Sequence, residues 1–300
     1  MRLRILSAGL LLFLTAALWA ASPETSTTDD LPVFRVQAAE VRVTFTATAE
    51  HNRLVTDISR NDFRIVRDGV TVEPVTSLSS LKDAPLSLVV LSDVSDSMRR
   101  ALSMEAAARK YISESVIGTE DELRMLEFGA EIQEPDTHGS RHLTSMYDSA
   151  LDVVKHRTLG NGRHAVLLIS DGDDNYSLHS LAELITTAQK NDVVFYTVKV
   201  GKRNTLAEES MRVLAERTGG QAYFAKDESQ ILRAVQAIES ELRNSFVVTF
   251  RADTHNTGVH QLALQATQRK MKFFCRTSYF QPGDPDRRRS DLNTSTLAMR

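Results

Sequence analysis

Three clusters of polar residues, each beside an apolar or helical segment, carry the side chains of this sequence that are best suited to chemistry. The clusters are Asp93-Val94-Ser95-Asp96-Ser97, Thr144-Ser145-Met146-Tyr147-Asp148 and Ser170-Asp171-Gly172-Asp173-Asp174-Asn175. Carboxylate and hydroxyl oxygens suit hard cations such as Mg²⁺ or Mn²⁺, whereas zinc and copper prefer nitrogen and sulfur ligands. The residues that we predict to form a metal site are Asp93, Ser95, Ser97, Thr144 and Asp171.

Only two of these five donors, Asp93 and Asp171, carry a charge. A divalent ion held by neutral hydroxyls and two carboxylates keeps positive charge that an incoming acidic group can meet. No general base is evident beside the clusters, so the residue types favour capture of an acidic group over hydrolysis. We therefore expect a binding function and no enzymatic activity.

The clusters need a scaffold that brings them together, and the section from 85 to 243 predicts one. Fully apolar runs such as Leu86–Leu91 and Ala165–Ile169 are typical of strands covered on both faces. The other strands that we predict are Leu123–Phe128, Val193–Val200 and Gln221–Phe224, and the helices are Met98–Val116, Ser145–Lys155, Ser180–Lys190, Leu206–Thr218 and a last helix ending near Arg243. This alternation predicts an α/β fold with a doubly wound, mostly parallel sheet and helices on both faces. Ligands bind at the carboxyl ends of the strands in such sheets, where all three clusters can lie.

Two β sections flank this α/β domain, one at 32–80 and one at 245–281. The first contains the alternating segment Glu40–Thr46 and an Asp-Gly turn at Asp68-Gly69, and the second contains predicted strands Phe246–Phe250, Gln261–Ala266 and Lys272–Ser278. We expect the two sections to pack together as one small β-sandwich-like unit. On the first α/β helix, we expect Leu102, Ala106, Tyr111 and Ile112 to form the apolar face.

The three clusters, in this order, resemble the metal-ion-dependent adhesion site of von Willebrand factor type A domains, and the resemblance covers about 85 to 243. The flanking segments Asn61–Gly69 and Ser278–Pro282 resemble those of a bacterial group of exported proteins related to this family. The resemblance implies that Ser95, Ser97 and Thr144 bind the ion directly, that Asp93 and Asp171 bind it directly or through water, and that the partner is a protein presenting a carboxylate. The family usually has a glycine shortly before the threonine, where this chain has His142-Leu143.

The N-terminal residues predict that the protein is exported. Arg2 and Arg4 precede the apolar run Ile5–Trp19, and the small residues Ala20, Ala21 and Ser22 follow it, which is the order of a secretory signal. We expect a signal peptide at 1–22, a linker at 23–31, a disordered tail at 282–300 and a periplasmic or extracellular location. No later segment is apolar enough to span a membrane, so we expect no membrane span once the signal is removed.

Several alternatives stay open at this point. A metal-dependent phosphate-ester hydrolase could use Asp93 as nucleophile, although Ser95 stands where a second carboxylate would be expected. A structural envelope protein could retain the fold with a degenerate site. Calcium could bind the segment Asp171–Asn175, but Tyr176 replaces the glycine that a calcium loop needs.

The formal net charge of −3 gives no reason to expect nucleic-acid binding. Cys275 is the single cysteine, so no internal disulfide can form, and we expect a buried, inert thiol.

Overall fold

A computed structural model describes residues 38–72, 74–133, 143–157, 162–253, 257–268 and 270–281. All of them belong to one compact unit. The predicted signal peptide, linker and C-terminal tail lie outside the described residues, and the domain boundaries given above stay predictions.

The strands and helices follow the alternation that the sequence predicts. The strands are β1 (Ala38–Thr48), β2 (Phe63–Arg67), β3 (Val70–Val72), β4 (Val75–Ser80), β5 (Leu86–Asp93), β6 (Glu122–Phe128), β7 (Ile132–Gln133), β8 (Arg163–Ser170), β9 (Val193–Val200), β10 (Ala222–Ala225), β11 (Phe246–Asp253), β12 (Gly258–Ala266), β13 (Lys272–Cys275) and β14 (Ser278–Gln281). The helices are α1 (Leu102–Tyr111), α2 (Met146–Asp152), α3 (Leu181–Lys190), α4 (Thr205–Thr218) and α5 (Glu228–Arg243).

The central sheet has the strand order β10-β9-β8-β5-β6-β7. The first five of these strands are parallel, and β7 is an antiparallel edge strand. Every residue of β5 is buried, because helices cover both faces of the sheet and form a separate apolar core on each. The predicted α/β fold class is therefore confirmed.

The two terminal β sections pair with each other. Strand β1 lies antiparallel to β11, with Phe45 opposite Phe246, in a sheet of order β13-β1-β11-β4. A second antiparallel sheet has the order β14-β12-β2-β3 and shares one apolar core with the first. The predicted β-sandwich-like unit is confirmed in these sheets. Cys275 lies in their core, where burial raises the pKa of its thiol to about 11.

The predicted strand Lys272–Ser278 was wrong, because the chain divides there into β13 and β14, which belong to different sheets. Arg276 and Thr277 make the step between the sheets by bonding to the α/β part. The Arg276 guanidinium donates to the Gln189 carbonyl at 3.1 Å, and the Thr277 N–H donates to the Arg217 carbonyl at 3.2 Å. An alternating pattern cannot show such a change of sheet, since both strands keep the same period.

Local signals set the ends of the helices. The Ser180 hydroxyl accepts a hydrogen bond from the Glu183 N–H, and the Glu183 carboxylate accepts one from the Ser180 N–H, so α3 begins with a capping box. The Asp227 carboxylate caps α5 by accepting from the Gln230 N–H at 2.9 Å. Gly219 ends α4 with a φ of 103°. The predicted helix Met98–Val116 is divided into a 3₁₀ turn (Asp96–Arg100), α1 and a π turn (Ile112–Val116).

Candidate metal site

The first cluster begins where β5 ends, at a fully buried aspartate. The Asp93 carboxylate accepts hydrogen bonds from the Ser95 N–H at 2.9 Å and from the Ser170 hydroxyl at 2.7 Å. The hydroxyls of Ser95 and Ser97 lie 3.0 Å apart, with Ser95 buried and Ser97 exposed. The two hydrogen bonds to Asp93 fix the position of its carboxylate. The neighbouring hydroxyl oxygens of Ser95 and Ser97 follow it within four residues of the chain.

The third cluster meets the first because β8 lies next to β5. The chain leaves β5 towards β6 and leaves β8 towards β9, in opposite directions, so the two strands enclose the switch point of the sheet. Ser170 connects the clusters, since it donates to Asp93 and accepts from the Gly172 N–H at 2.9 Å. Asp171 is half-buried in this crevice.

The second cluster is held to the third by its backbone. The Thr144 N–H donates to the Asn175 side-chain oxygen at 2.9 Å, and the Thr144 carbonyl accepts from the N–H groups of Asn175 and Tyr176 at 3.1 and 3.0 Å. The Asp174 carboxylate accepts from the Met146 N–H at 2.9 Å. Thr144 is buried at this junction. The structure thus places all five predicted residues at one edge of the sheet, and their role as metal ligands stays a prediction.

These same bonds bear on the calcium alternative. The side-chain oxygens of Asp174 and Asn175 accept hydrogen bonds from the start of α2 and from Thr144. These oxygens position Thr144 and the start of α2, and this use competes with ion binding inside the segment Asp171–Asn175. His138 and His142, which precede the second cluster in the sequence, lie outside the described residues.

The crevice brings the carboxylates of Asp93 and Asp171 close enough to repel each other. Burial is the main cause that raises the pKa of Asp93 to about 6; the negative charge of Asp171 contributes to this rise, and the hydrogen bonds from Ser170 and Ser95 oppose it. Among the described residues, no cationic side chain forms an ion pair with Asp93. A buried carboxylate without a cationic partner is costly, and a bound cation would remove that cost.

A third carboxylate, Glu105 on α1, belongs to the same environment and was missed by the sequence analysis. Its side chain is fully buried, and neither carboxylate oxygen has a hydrogen-bond partner in the part of the chain that the structure describes. Burial raises its pKa well above the ordinary value, and the charge of Asp93 adds to this effect. Arg109 forms an ion pair with the nearby Glu127, whereas no ion pair with Glu105 is found among the described residues.

The helical spacing of the apolar residues around Glu105 indicates that its side chain is buried, but the predicted apolar face did not include it. The buried positions of this helical segment include Ala101, Glu105, Ala108 and Ile112, which recur at helical spacing. The predicted face placed Ala106 inside, yet Ala106 is exposed. That face was therefore partly wrong, because Glu105 and not Ala106 is turned towards the core. A glutamate in an apolar helical stripe is the pattern that would have revealed it.

The donor set fits a hard divalent cation. Two aspartates and three hydroxyl residues lie at this edge of the sheet, together with buried carboxylates for which the described residues provide no cationic partner at Asp93 and no hydrogen bond at Glu105. Within the described part of the chain, no group of three or more His, Cys, Asp or Glu side chains forms a metal site. The candidate site differs from such clusters, because three of its five donors are the hydroxyl groups of Ser95, Ser97 and Thr144.

Residues 119–241 match the family model described as von Willebrand factor type A domain. This section of the chain is therefore assigned to a von Willebrand factor type A domain. The matched residues include the second and third clusters, and the first cluster lies before them. No curated protein sequence matches the chain.

Three solved structures are similar to this chain at low sequence identity. A von Willebrand factor type A protein from Catenulispora acidiphila is 9% identical, with a TM-score of 0.46 over 74% of this chain and 75% of its own. The conserved hypothetical protein BatB from Bacteroides thetaiotaomicron is 15% identical, with a TM-score of 0.40 over 52% of this chain and 97% of its own. Proximal thread matrix protein 1 from the mussel byssus, whose structure has a zinc-occupied MIDAS motif, is 12% identical, with a TM-score of 0.47 over 57% of this chain and 49% of its own.

Proposed function

We propose that this protein is a non-enzymatic, metal-dependent protein-binding module of the adhesion type. Asp93, Ser95, Ser97, Thr144 and Asp171 would hold Mg²⁺ or Mn²⁺ in preference to Ca²⁺. The observation that carries the proposal is the buried Asp93 carboxylate, which is fixed by Ser95 and Ser170 and has no cationic partner among the described residues.

The bound ion would supply positive charge and an exchangeable ligand position for a carboxylate of a protein partner. The chain supports this by keeping three of the five donors neutral, so that the site does not cancel the charge of the ion. Ser97 lies exposed while Asp93 and Ser95 are buried, which gives the site an inner, fixed side and an outer side open to a partner.

The geometry argues against the phosphate-ester hydrolase. A nucleophilic aspartate needs a carboxylate oxygen that can reach a substrate, but Asp93 is 0% exposed and both of its oxygens accept hydrogen bonds. Such bonds suit a residue that holds an ion or orients its neighbours.

We expect calorimetry to show one Mg²⁺ or Mn²⁺ ion binding to the full chain after treatment with EDTA, with Ca²⁺ binding more weakly. Saturating ion should also raise the melting temperature, because a ligand that binds only the folded state stabilises it. Absence of both the heat and the thermal shift would contradict the proposal and favour a degenerate site in a structural envelope protein.

We also propose that the protein is exported to the periplasm or the cell exterior. In the described residues, no helix is both long and apolar enough to cross a membrane. Expression of the full sequence in a bacterium should give a secreted or periplasmic product whose intact mass lacks residues 1–22. A cytoplasmic product that retains these residues would overturn the export proposal, and the metal-binding proposal would be unaffected.

A further inference from the structure

Large apolar side chains stand exposed at the same sheet edge as the candidate metal site. Leu178 is 92% exposed, Leu206 81%, Tyr176 53% and Leu143 36%. Leu143 directly precedes Thr144, while Tyr176 and Leu178 follow the third cluster. Leu206 lies in the first turn of α4, beyond the carboxyl end of β9.

Hydrogen bonds hold these residues beside the site. The Tyr176 N–H donates to the Thr144 carbonyl at 3.0 Å, and the Leu178 N–H donates to the Asp148 carboxylate at 2.9 Å. On the other side, the Asn204 amide donates to the Asp173 carboxylate at 3.0 Å, which ties the start of α4 to the third cluster. Three of the exposed side chains thus lie on loops beside the second and third clusters, and Leu206 lies at the start of a helix that is bonded to the third cluster.

This exposure gives the free protein no benefit. A leucine that is 92% exposed gains almost nothing from the hydrophobic effect until another surface covers it. Single exposed apolar residues are common, but four around one polar crevice form a surface of mixed character. An apolar border around a central polar contact is the arrangement that excludes water from that contact in protein interfaces.

We propose that Leu143, Tyr176, Leu178 and Leu206 form an apolar rim that selects a protein segment in which one acidic residue is flanked on both sides by large apolar residues. The inference rests on the proposed function, since the ion at the centre of the rim supplies the attraction for the carboxylate. A protein segment fits better than an anionic membrane, because the exposed Asp173 beside the rim repels a surface of uniform negative charge.

Three fluorescein-labelled peptides test the rim separately from the ion. They share the frame Gly-Ser-x-x-x-Ser-Gly and carry Leu-Asp-Leu, Gly-Asp-Gly or Leu-Asn-Leu at the centre. Fluorescence polarisation with the full chain and saturating Mn²⁺ should show binding of the Leu-Asp-Leu peptide that EDTA abolishes. The Gly-Asp-Gly peptide should bind at least about tenfold more weakly, and the Leu-Asn-Leu peptide should show no dependence on Mn²⁺.

Rim variants provide the matched protein controls. Leu178→Ser and Leu206→Ser should each weaken binding of the Leu-Asp-Leu peptide about fivefold or more, while the affinity for Mn²⁺ alone stays unchanged. Val70→Ser is the control, because Val70 is 69% exposed but lies on β3 in the terminal β unit. That variant should bind both peptide and ion like the wild type.

The outcomes distinguish this inference from the proposed function. Binding of Mn²⁺ with equal affinities for the Leu-Asp-Leu and Gly-Asp-Gly peptides, or with no peptide binding, overturns the rim and leaves the metal site in place. Mn²⁺-dependent binding to phosphatidylglycerol vesicles that Leu178→Ser weakens, without peptide binding, assigns the rim to a membrane and also overturns the inference. Absence of Mn²⁺ binding overturns the proposed function and the inference with it.

Discussion

The Asp93→Asn protein is expected to lose binding of Mg²⁺ and Mn²⁺ at least about a hundredfold and yet to be more stable than the wild type without metal at about pH 7.5. Asparagine retains the shape of the side chain and can still accept from the Ser95 N–H, but it removes the buried charge. The pKa of Asp93 is raised from 3.8 to about 6, which corresponds to about 3 kcal/mol at about 1.4 kcal/mol per unit.

The sign of this effect follows from proton linkage. Because the folded-state pKa lies above the unfolded value, the folded protein binds the proton more tightly, and that stabilisation is complete below about pH 4 and is lost as the pH rises through about 6. The gain of the Asp93→Asn protein should therefore be present at about pH 7.5 and absent at about pH 4. A gain of about 3 kcal/mol should raise the melting temperature by roughly 5 °C or more.

Bound metal should remove most of this difference in stability, because it stabilises only the wild-type protein. Mn²⁺ at about a hundred times its dissociation constant stabilises the wild type by about 2.7 kcal/mol and leaves the Asp93→Asn protein unchanged. The matched control is Asp96→Asn in the same loop, whose carboxylate bonds to Arg99 at 3.0 Å and which should bind Mn²⁺ like the wild type. Wild-type affinity of the Asp93→Asn protein for Mn²⁺ would remove Asp93 from the ligand set.

Gly172→Ala should destabilise the protein by about 3 kcal/mol and weaken Mn²⁺ binding at least about tenfold. Gly172 has a φ of 81°, and an added Cβ would lie 2.7 Å from the Cβ of Ala207 on α4. The positive φ costs roughly 1 kcal/mol for alanine, and the overpacking adds about 1–3 kcal/mol. Relief of the clash moves the loop that carries Asp171, so the metal site should suffer with the fold.

Gly201→Ala separates the two causes. Gly201 has a similar φ of 85°, but no atom lies within 4 Å of an added Cβ. Urea unfolding should show a loss of about 1 kcal/mol for Gly201→Ala, with unchanged affinity for Mn²⁺ by calorimetry. Equal losses for the two glycines would show that the packing of the loop against α4 has no role in holding Asp171.

Strand and helix order, and the edge on which the candidate ligands lie, were predictable from the sequence because they depend on local pattern. The apolar runs before Asp93 and Asp171 have the length and composition of covered strands, so the polar residues that follow must lie at their carboxyl ends. Capping residues such as Ser180 and Asp227 act within one turn of their helix. Their positions could be read without knowing any distant neighbour.

Contacts between distant segments could not be predicted in the same way. The Ser170–Asp93 bond exists because β8 lies beside β5, an order that neither strand encodes in its own pattern. The division of Lys272–Ser278 between two sheets depends on bonds from Arg276 and Thr277 to the α/β part. The same holds for Thr144, whose place beside the third cluster is set by Asn175.

The sequence by itself therefore determined the α/β fold class and the polar edge with its five candidate ligands, since hydrophobic period and strand ends are properties of short segments. Only the tertiary structure decided which charges lie close enough to influence each other, above all Glu105 and Asp93, and which apolar side chains, such as Leu178 and Leu206, stay exposed. The physical reason is that the burial and the electrostatic energy of a residue depend on neighbours that are distant in the sequence. Those neighbours are fixed only when the helices pack on the sheet in the folded domain.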